Sequence, residues 1–90
     1  MSPIEKNKPK LLSRIRRIKG QMEGVEKMVE EGRDCYTVLQ TISACRGALN
    51  GLVLEMLESH IDHHVIQEPE LEKVRKSGDE IITILKTFLK

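Results

Sequence analysis

Asp34-Cys35-Tyr36-Thr37-Val38-Leu39-Gln40, running on without a proline to His60-Ile61-Asp62-His63-His64-Val65, is the stretch that decides the fold. Apolar side chains recur through it at Val38, Leu39, Ile42, Leu49, Leu52, Val53, Met56, Leu57 and Ile61, the three-and-four spacing of an amphipathic helix. Asp34 has the side chain of an N-cap, and Pro69 limits the helix shortly beyond Val65. At about 100° per residue, Cys35, His60 and His64 fall within about 20° of one line along this helix. A thiol and two imidazoles on one stripe form the donor set of a transition-metal site.

Distance then restricts how such a site is built. Cys35 and His60 lie 25 positions apart, roughly 37 Å along an α-helix. One metal holds its ligands at about 2.0–2.3 Å, so a single unbroken helix cannot supply both ends. A second copy running antiparallel brings its Cys35 beside the first copy's His60 and His64. Two-fold symmetry repeats the contact and yields two equivalent sites between subunits. The spacing therefore predicts a homo-oligomer with bridging sites, or no Cys–His site at all.

The remaining composition agrees with helices packed on helices. The chain has 90 residues, read as one small domain over 1–90, with Tyr36 and Phe88 its only aromatics besides histidine. A chain of this size buries a limited core alone, so self-association is expected to add to its stability. Strand-like alternation is hard to find, no apolar run approaches the ~20 residues of a membrane span, and no signal-peptide pattern opens the chain. Two cysteines without such a signal predict a reducing cytoplasm, where a thiol is a ligand or nucleophile sooner than half a disulfide.

The net charge of +1 hides a local polarity. Lys6, Lys8, Lys10, Arg14, Arg16, Arg17 and Lys19 follow one another with no acid between them, and Glu23, Glu26, Glu30, Glu31 and Asp34 come after. An acid-free basic block on a balanced protein is the footprint of a polyanion site. It lies on a first helix expected from about Lys6–Lys10 to Glu31, with Leu11, Ile15, Ile18, Met22, Val25 and Val29 as its apolar stripe. Gly20 and Gly24 weaken that helix and leave room for a close neighbour, and Gly32 is a natural C′ residue before the next helix. A third helix is expected to take Pro69 into its first turn and to carry Leu71, Val74, Ile81, Ile82, Leu85 and Phe88 on one face, with Gly78 as a point of bending.

Each chemical residue also has a plainer reading. Cys35, alone, could be a buried packing cysteine, but the first turn of a helix favours its thiolate and two histidines share its stripe. Cys45 lies about 80° off the stripe and is read as core. His60 and His64 form an i, i+4 pair able to hold one ion, whereas His63 points about 80° away and is left out. Lys10, Arg14, Arg17 and Gln21 line one face at four-, three- and four-residue spacing, as phosphate contacts require. Arg46 shares the Cys–His stripe and must reach a carboxylate, solvent or a phosphate. On the opposite side Ala44, Gly47, Ala48 and Gly51 make a small-residue face, read as tight packing.

Taken together, Arg16-Arg17-Ile18-Lys19-Gly20-Gln21, Asp34-Cys35, Arg46-Gly47-Ala48-Leu49-Asn50-Gly51-Leu52 and Glu58-Ser59-His60-Ile61 resemble the CsoR/RcnR/FrmR repressors. The resemblance covers nearly the whole chain. It implies an all-α three-helix protomer without a helix-turn-helix, an antiparallel helical-bundle dimer, and a dimer of dimers. It also implies a cytoplasmic homotetramer that binds double-stranded operator DNA and releases it on meeting an inducer. The family's cysteine at the start of the second helix and two residues late in the partner's helix match Cys35, His60 and His64.

Departures from the family pattern bear on the inducer. Copper sensors of the family resemble Cys-His-Cys, but His64 stands third here. Nickel and cobalt sensors add a histidine near the amino terminus, where this chain has Pro3; formaldehyde sensors use an N-terminal proline amine, and here Ser2 precedes Pro3. One thiolate with imidazoles suits Ni, Co, Zn or Cu(I). The reading adopted is a repressor, not an enzyme, contacting DNA through Lys10, Arg14, Arg16, Arg17 and Arg46 and released by nickel or cobalt, with Cu(I) next. The alternative is a formaldehyde-responsive repressor reacting through Cys35 and the N-terminal amine. A purely structural helical module would leave the basic block without a purpose.

Overall fold

The computed structural model describes residues 3–90. A single turn, α1 (Pro3–Lys6), precedes α2 (Lys8–Glu30) and α3 (Cys35–Ile61); a π-helical turn (Asp62–Ile66) and α4 (Leu71–Phe88) complete the chain. No strand occurs among the described residues, so the chain is all-α with three long helices. It forms two compact units: residues 7–54, and α1 together with residues 55–90.

In the first unit, local chemistry sets the helix ends. Pro9 lies in the first turn of α2, where its missing N–H is no loss, and the Asn7 carbonyl accepts from Leu11 N at 2.9 Å. At the other end Gly32 adopts φ +71°, its N–H donating to Val29 O at 3.1 Å while Arg33 N donates to Met28 O at 2.9 Å. This pair of bonds is a Schellman motif, and glycine enters the left-handed region without the penalty a Cβ brings. The turn at Gly32–Arg33 thus falls where the sequence predicts it.

Packing uses only half of the expected α2 stripe. Leu11, Ile18 and Val25, seven residues apart, are buried, whereas Ile15, Met22 and Val29 are 39%, 49% and 63% exposed. The periodic pattern merges two adjacent lines of side chains, and within the chain only one of them is buried. Cys45 is buried at 2% exposure, as expected of a core cysteine. Two contacts fix the antiparallel pairing: the Arg14 guanidinium lies against Gly51, and the Thr41 hydroxyl donates to Met28 Sδ at 3.6 Å. A Cβ on Gly20, Gly24 or Gly47 would meet nothing within 4 Å, so among the described residues no neighbour takes up the room that Gly20 and Gly24 leave.

In the second unit the π-helical turn packs against α4. The α-helical hydrogen bonding expected through Val65 stops at Ile61, and Gln67 N instead reaches Asp62 O, five residues back, at 3.0 Å. The Gln67 side-chain amide also donates to Asp62 Oδ2 at 2.7 Å, fastening the widened turn from outside. Pro69 lies before α4 rather than within it; Glu70, with extended φ −90° and ψ 119°, is the cap, and its carbonyl accepts from Val74 N at 3.1 Å. α4 passes through Gly78 uninterrupted. Its inner face is Ser77, buried, with Val74, Ile81 and Leu85 half-buried, while Leu71, Ile82 and Phe88 are exposed. A count of apolar residues gives no weight to a small polar Ser77, and the expected face was rotated accordingly.

Candidate metal centre and DNA-contact face

Cys35 is the first residue of α3 and is exposed. Its position follows from the residue before it. Asp34 caps the helix, with Thr37 N donating to Oδ2 at 2.9 Å and the Thr37 hydroxyl donating to Oδ1 at 2.8 Å. The Thr37 backbone N–H, and after it the Thr37 hydroxyl, hold the Asp34 carboxyl below the usual carboxylate range. Because the folded pKa is the lower one, this stabilisation is complete above the unfolded pKa of about 3.9 and is lost as pH falls through the folded value. Asp34→Ala is accordingly expected to lower the Tm at neutral pH, Asp34→Asn to retain most of it, and the wild-type advantage over Asp34→Ala to vanish in acid; equal Tm values at neutral pH would remove the cap from the account.

The histidines stand at the far end of α3. The His60 and His64 rings are half-buried, with centroids 4.7 Å apart and planes tilted by 49°. That separation lets one nitrogen of each approach a common ion at about 2.0–2.1 Å. The pair persists although His64 lies in the π-helical turn and His60 in the α-helix. His63 is occupied elsewhere, its Nδ1 donating to Ser59 O at 3.0 Å with Asp62 Oδ2 3.9 Å away. Among the described residues no three His, Cys, Asp or Glu side chains come together to hold a metal. The pair supplies two nitrogen donors. Its nitrogens, and an exposed thiol at the start of the same helix, match the donors that a borderline transition metal prefers.

Basic side chains occupy the N-terminal half of α2. Its first turn holds no acid, so Lys8 and Lys10 add their charge to the positive end of the helix dipole instead of offsetting it. Lys10, Arg16 and Arg17 are exposed, as is Arg46 on α3, which therefore reaches solvent. Arg14 is half-buried, its guanidinium against Gly51. Gln21, expected on the outer basic face, turns inward: its Oε1 is buried with no hydrogen-bond partner among the described residues. Its spacing, three residues after Ile18 and four before Val25, is the signal that could have placed it there.

Ile15, Ile18, Met22, Leu49 and Leu52 line an apolar groove of about 340 Å³ between α2 and α3, rimmed by Lys19 and Glu23. Among the described residues no large side chain is fully buried, and Leu39, Ile42, Leu49 and Leu54 of α3 remain exposed. A helix apolar on nearly every side is normally an interior helix.

Comparison with known proteins agrees with these features. A family model described as a metal-sensitive transcriptional repressor matches residues 7–87. The chain is 34% identical over 90 residues to the transcriptional repressor RcnR of Escherichia coli (strain K12), covering 100% of both. It is 40% identical over 91 residues to an uncharacterized protein in the bioA 5' region of Serratia marcescens, again covering 100% of both. The copper-sensing repressor CsoR with Cu(I) from Geobacillus thermodenitrificans NG80-2 superposes with a TM-score of 0.85 at 35% identity, covering 96% of this chain and 88% of that one. A variant of the formaldehyde-responsive regulator FrmR from Salmonella enterica serovar Typhimurium gives 0.84 at 37% identity, covering 92% and 94%. With its all-α fold, its i, i+4 histidine pair and its basic helix, the chain belongs to the metal-sensitive transcriptional repressors, the family of CsoR, RcnR and FrmR, whose members are not enzymes.

Proposed function

We propose that this repressor binds double-stranded operator DNA as a homotetramer and releases it when nickel or cobalt, or next Cu(I), is held between subunits by Cys35 of one copy and His60 and His64 of another. Zn is compatible with the same donors. The observation that carries the reading is the His60–His64 pair, 4.7 Å apart and without a third donor in its own chain among the described residues. The bound ion supplies charge and a fixed coordination geometry. Cys35, being exposed, is available to a second copy, and the imidazoles are half-buried. The unfilled groove and the exposed apolar side chains of α3 give an antiparallel partner its seat, and exposed Leu71, Ile82 and Phe88 of α4 leave further apolar surface for joining two dimers.

DNA contact falls to Lys10, Arg14, Arg16, Arg17 and Arg46. Holding the inducer favours a conformation of poorer fit to DNA, and linkage requires DNA to weaken inducer binding by the same factor, typically about 1–3 kcal/mol. Phosphate contacts predict a steep fall of affinity with salt. Against a duplex selected from a random pool by the metal-free protein, Arg17→Ala is expected to lower the salt slope by about 1 for each phosphate that Arg17 neutralises, and to leave metal affinity unchanged. Affinity insensitive to salt and to this substitution would reject the basic face.

A second reading has its own support in the likeness to a formaldehyde-responsive regulator. There the exposed Cys35 side chain and the N-terminal amine are the reacting pair. Ser2 and the N-terminal amine lie outside the described residues.

A further inference from the structure

We infer that Gly51 is a positioning residue for DNA binding: its missing side chain is the slot in which the Arg14 guanidinium is laid across α3. The inference rests on the reading of Arg14 as a DNA contact. A Cβ at position 51 would stand 2.8 Å from Arg14 Nη2, 3.4 Å from Cζ and 3.9 Å from Nε. Non-bonded heavy atoms pack best at about 3.5–4.0 Å, so the first of these contacts is a clash. Every atom met belongs to the far end of one flexible side chain. A methyl group there displaces the guanidinium and leaves the two helix backbones where they are.

Backbone conformation does not explain the glycine. Gly32 is the only glycine with positive φ among the described residues, and Gly51 sits inside α3, where alanine is the better helix former. Gly47, on the same face of α3, has nothing within 4 Å of a Cβ, so small size alone is not required along this side. Arg14 also differs from its neighbours, being half-buried where Lys10, Arg16, Arg17 and Arg46 are exposed. A planar guanidinium loses little freedom on binding when its direction is already set, and the slot sets it.

The test compares Gly51→Ala, Arg14→Ala, the double variant and Gly47→Ala in the full chain, by thermal unfolding and by binding to the selected duplex. Gly51→Ala is expected to raise the Tm and yet weaken DNA binding by on the order of tenfold, close to the loss from Arg14→Ala. The double variant should bind no worse than Arg14→Ala alone, since both changes remove one interaction. Gly47→Ala should raise the Tm and leave affinity unchanged. If Arg14→Ala weakens binding and Gly51→Ala does not, the slot is wrong and the DNA contact stands. If Arg14→Ala binds like wild type, the contact is wrong and the slot falls with it. Losses that multiply in the double variant, a lower Tm for Gly51→Ala, or an equal loss in Gly47→Ala each overturn the slot.

Discussion

His64→Ala is expected to bind operator DNA as tightly as wild type and no longer to be released by nickel, cobalt or Cu(I) at concentrations that release the wild-type protein. The imidazole is one of three proposed ligands, and its loss leaves His60 with a single ring against the partner's thiolate. Metal affinity is expected to fall by well over tenfold, more than about 1.4 kcal/mol. DNA affinity without metal should hold, because His64 stands in the π-helical turn and the basic residues stand on α2 and at Arg46. Cys35→Ala abolishes induction in the metal and the aldehyde readings alike, so it cannot separate them. His64→Ala can. If formaldehyde alone releases wild-type protein and releases His64→Ala equally well, the metal reading is wrong and the Cys35–amine reading takes its place.

Much of the fold was legible because it depends on local chemistry. Asp34 caps α3 through Thr37, and Gly32 closes α2 with φ +71°; both are decided by side chains within four residues. The i, i+4 relation of His60 and His64 was legible for the same reason, and the rings do meet at 4.7 Å. Tertiary choices were less so. Periodicity marks which side of α2 is apolar, but it does not divide Leu11, Ile18 and Val25, covered within the chain, from Ile15, Met22 and Val29, left for something else. Nor does it show that Asp62 and Gln67 fasten a π-helical turn where a regular helix was expected, or that Gln21 faces inward. The packing of Arg14 on Gly51 joins residues far apart in sequence, and no local pattern announces it.

The largest effect expected concerns the sharing of the site between copies. Cys35 opens α3 and His60 is its penultimate residue, and the helix is unbroken between them. With no third donor beside the imidazoles among the described residues of the same chain, every ion held with the full Cys–His–His set must draw on two copies. A preparation of Cys35→Ala lacks every thiol ligand, and a preparation of His60→Ala/His64→Ala lacks every imidazole ligand. Each alone is expected to lose metal-driven DNA release. Their mixture behaves differently in a two-fold antiparallel pair: one of its two sites loses all ligands, while the other joins intact Cys35 from one copy to intact His60 and His64 from the other.

The decisive measurement is therefore metal binding and metal-driven DNA release in a co-refolded equimolar mixture of these two variants, beside each variant alone. The mixture is expected to regain tight sites of wild-type affinity, one for each mixed dimer, and with them release of DNA, while neither parent does. A mixture as inert as its parents, with mixed oligomers confirmed by native mass spectrometry, would contradict a site built from Cys35 of one copy and His60 and His64 of another.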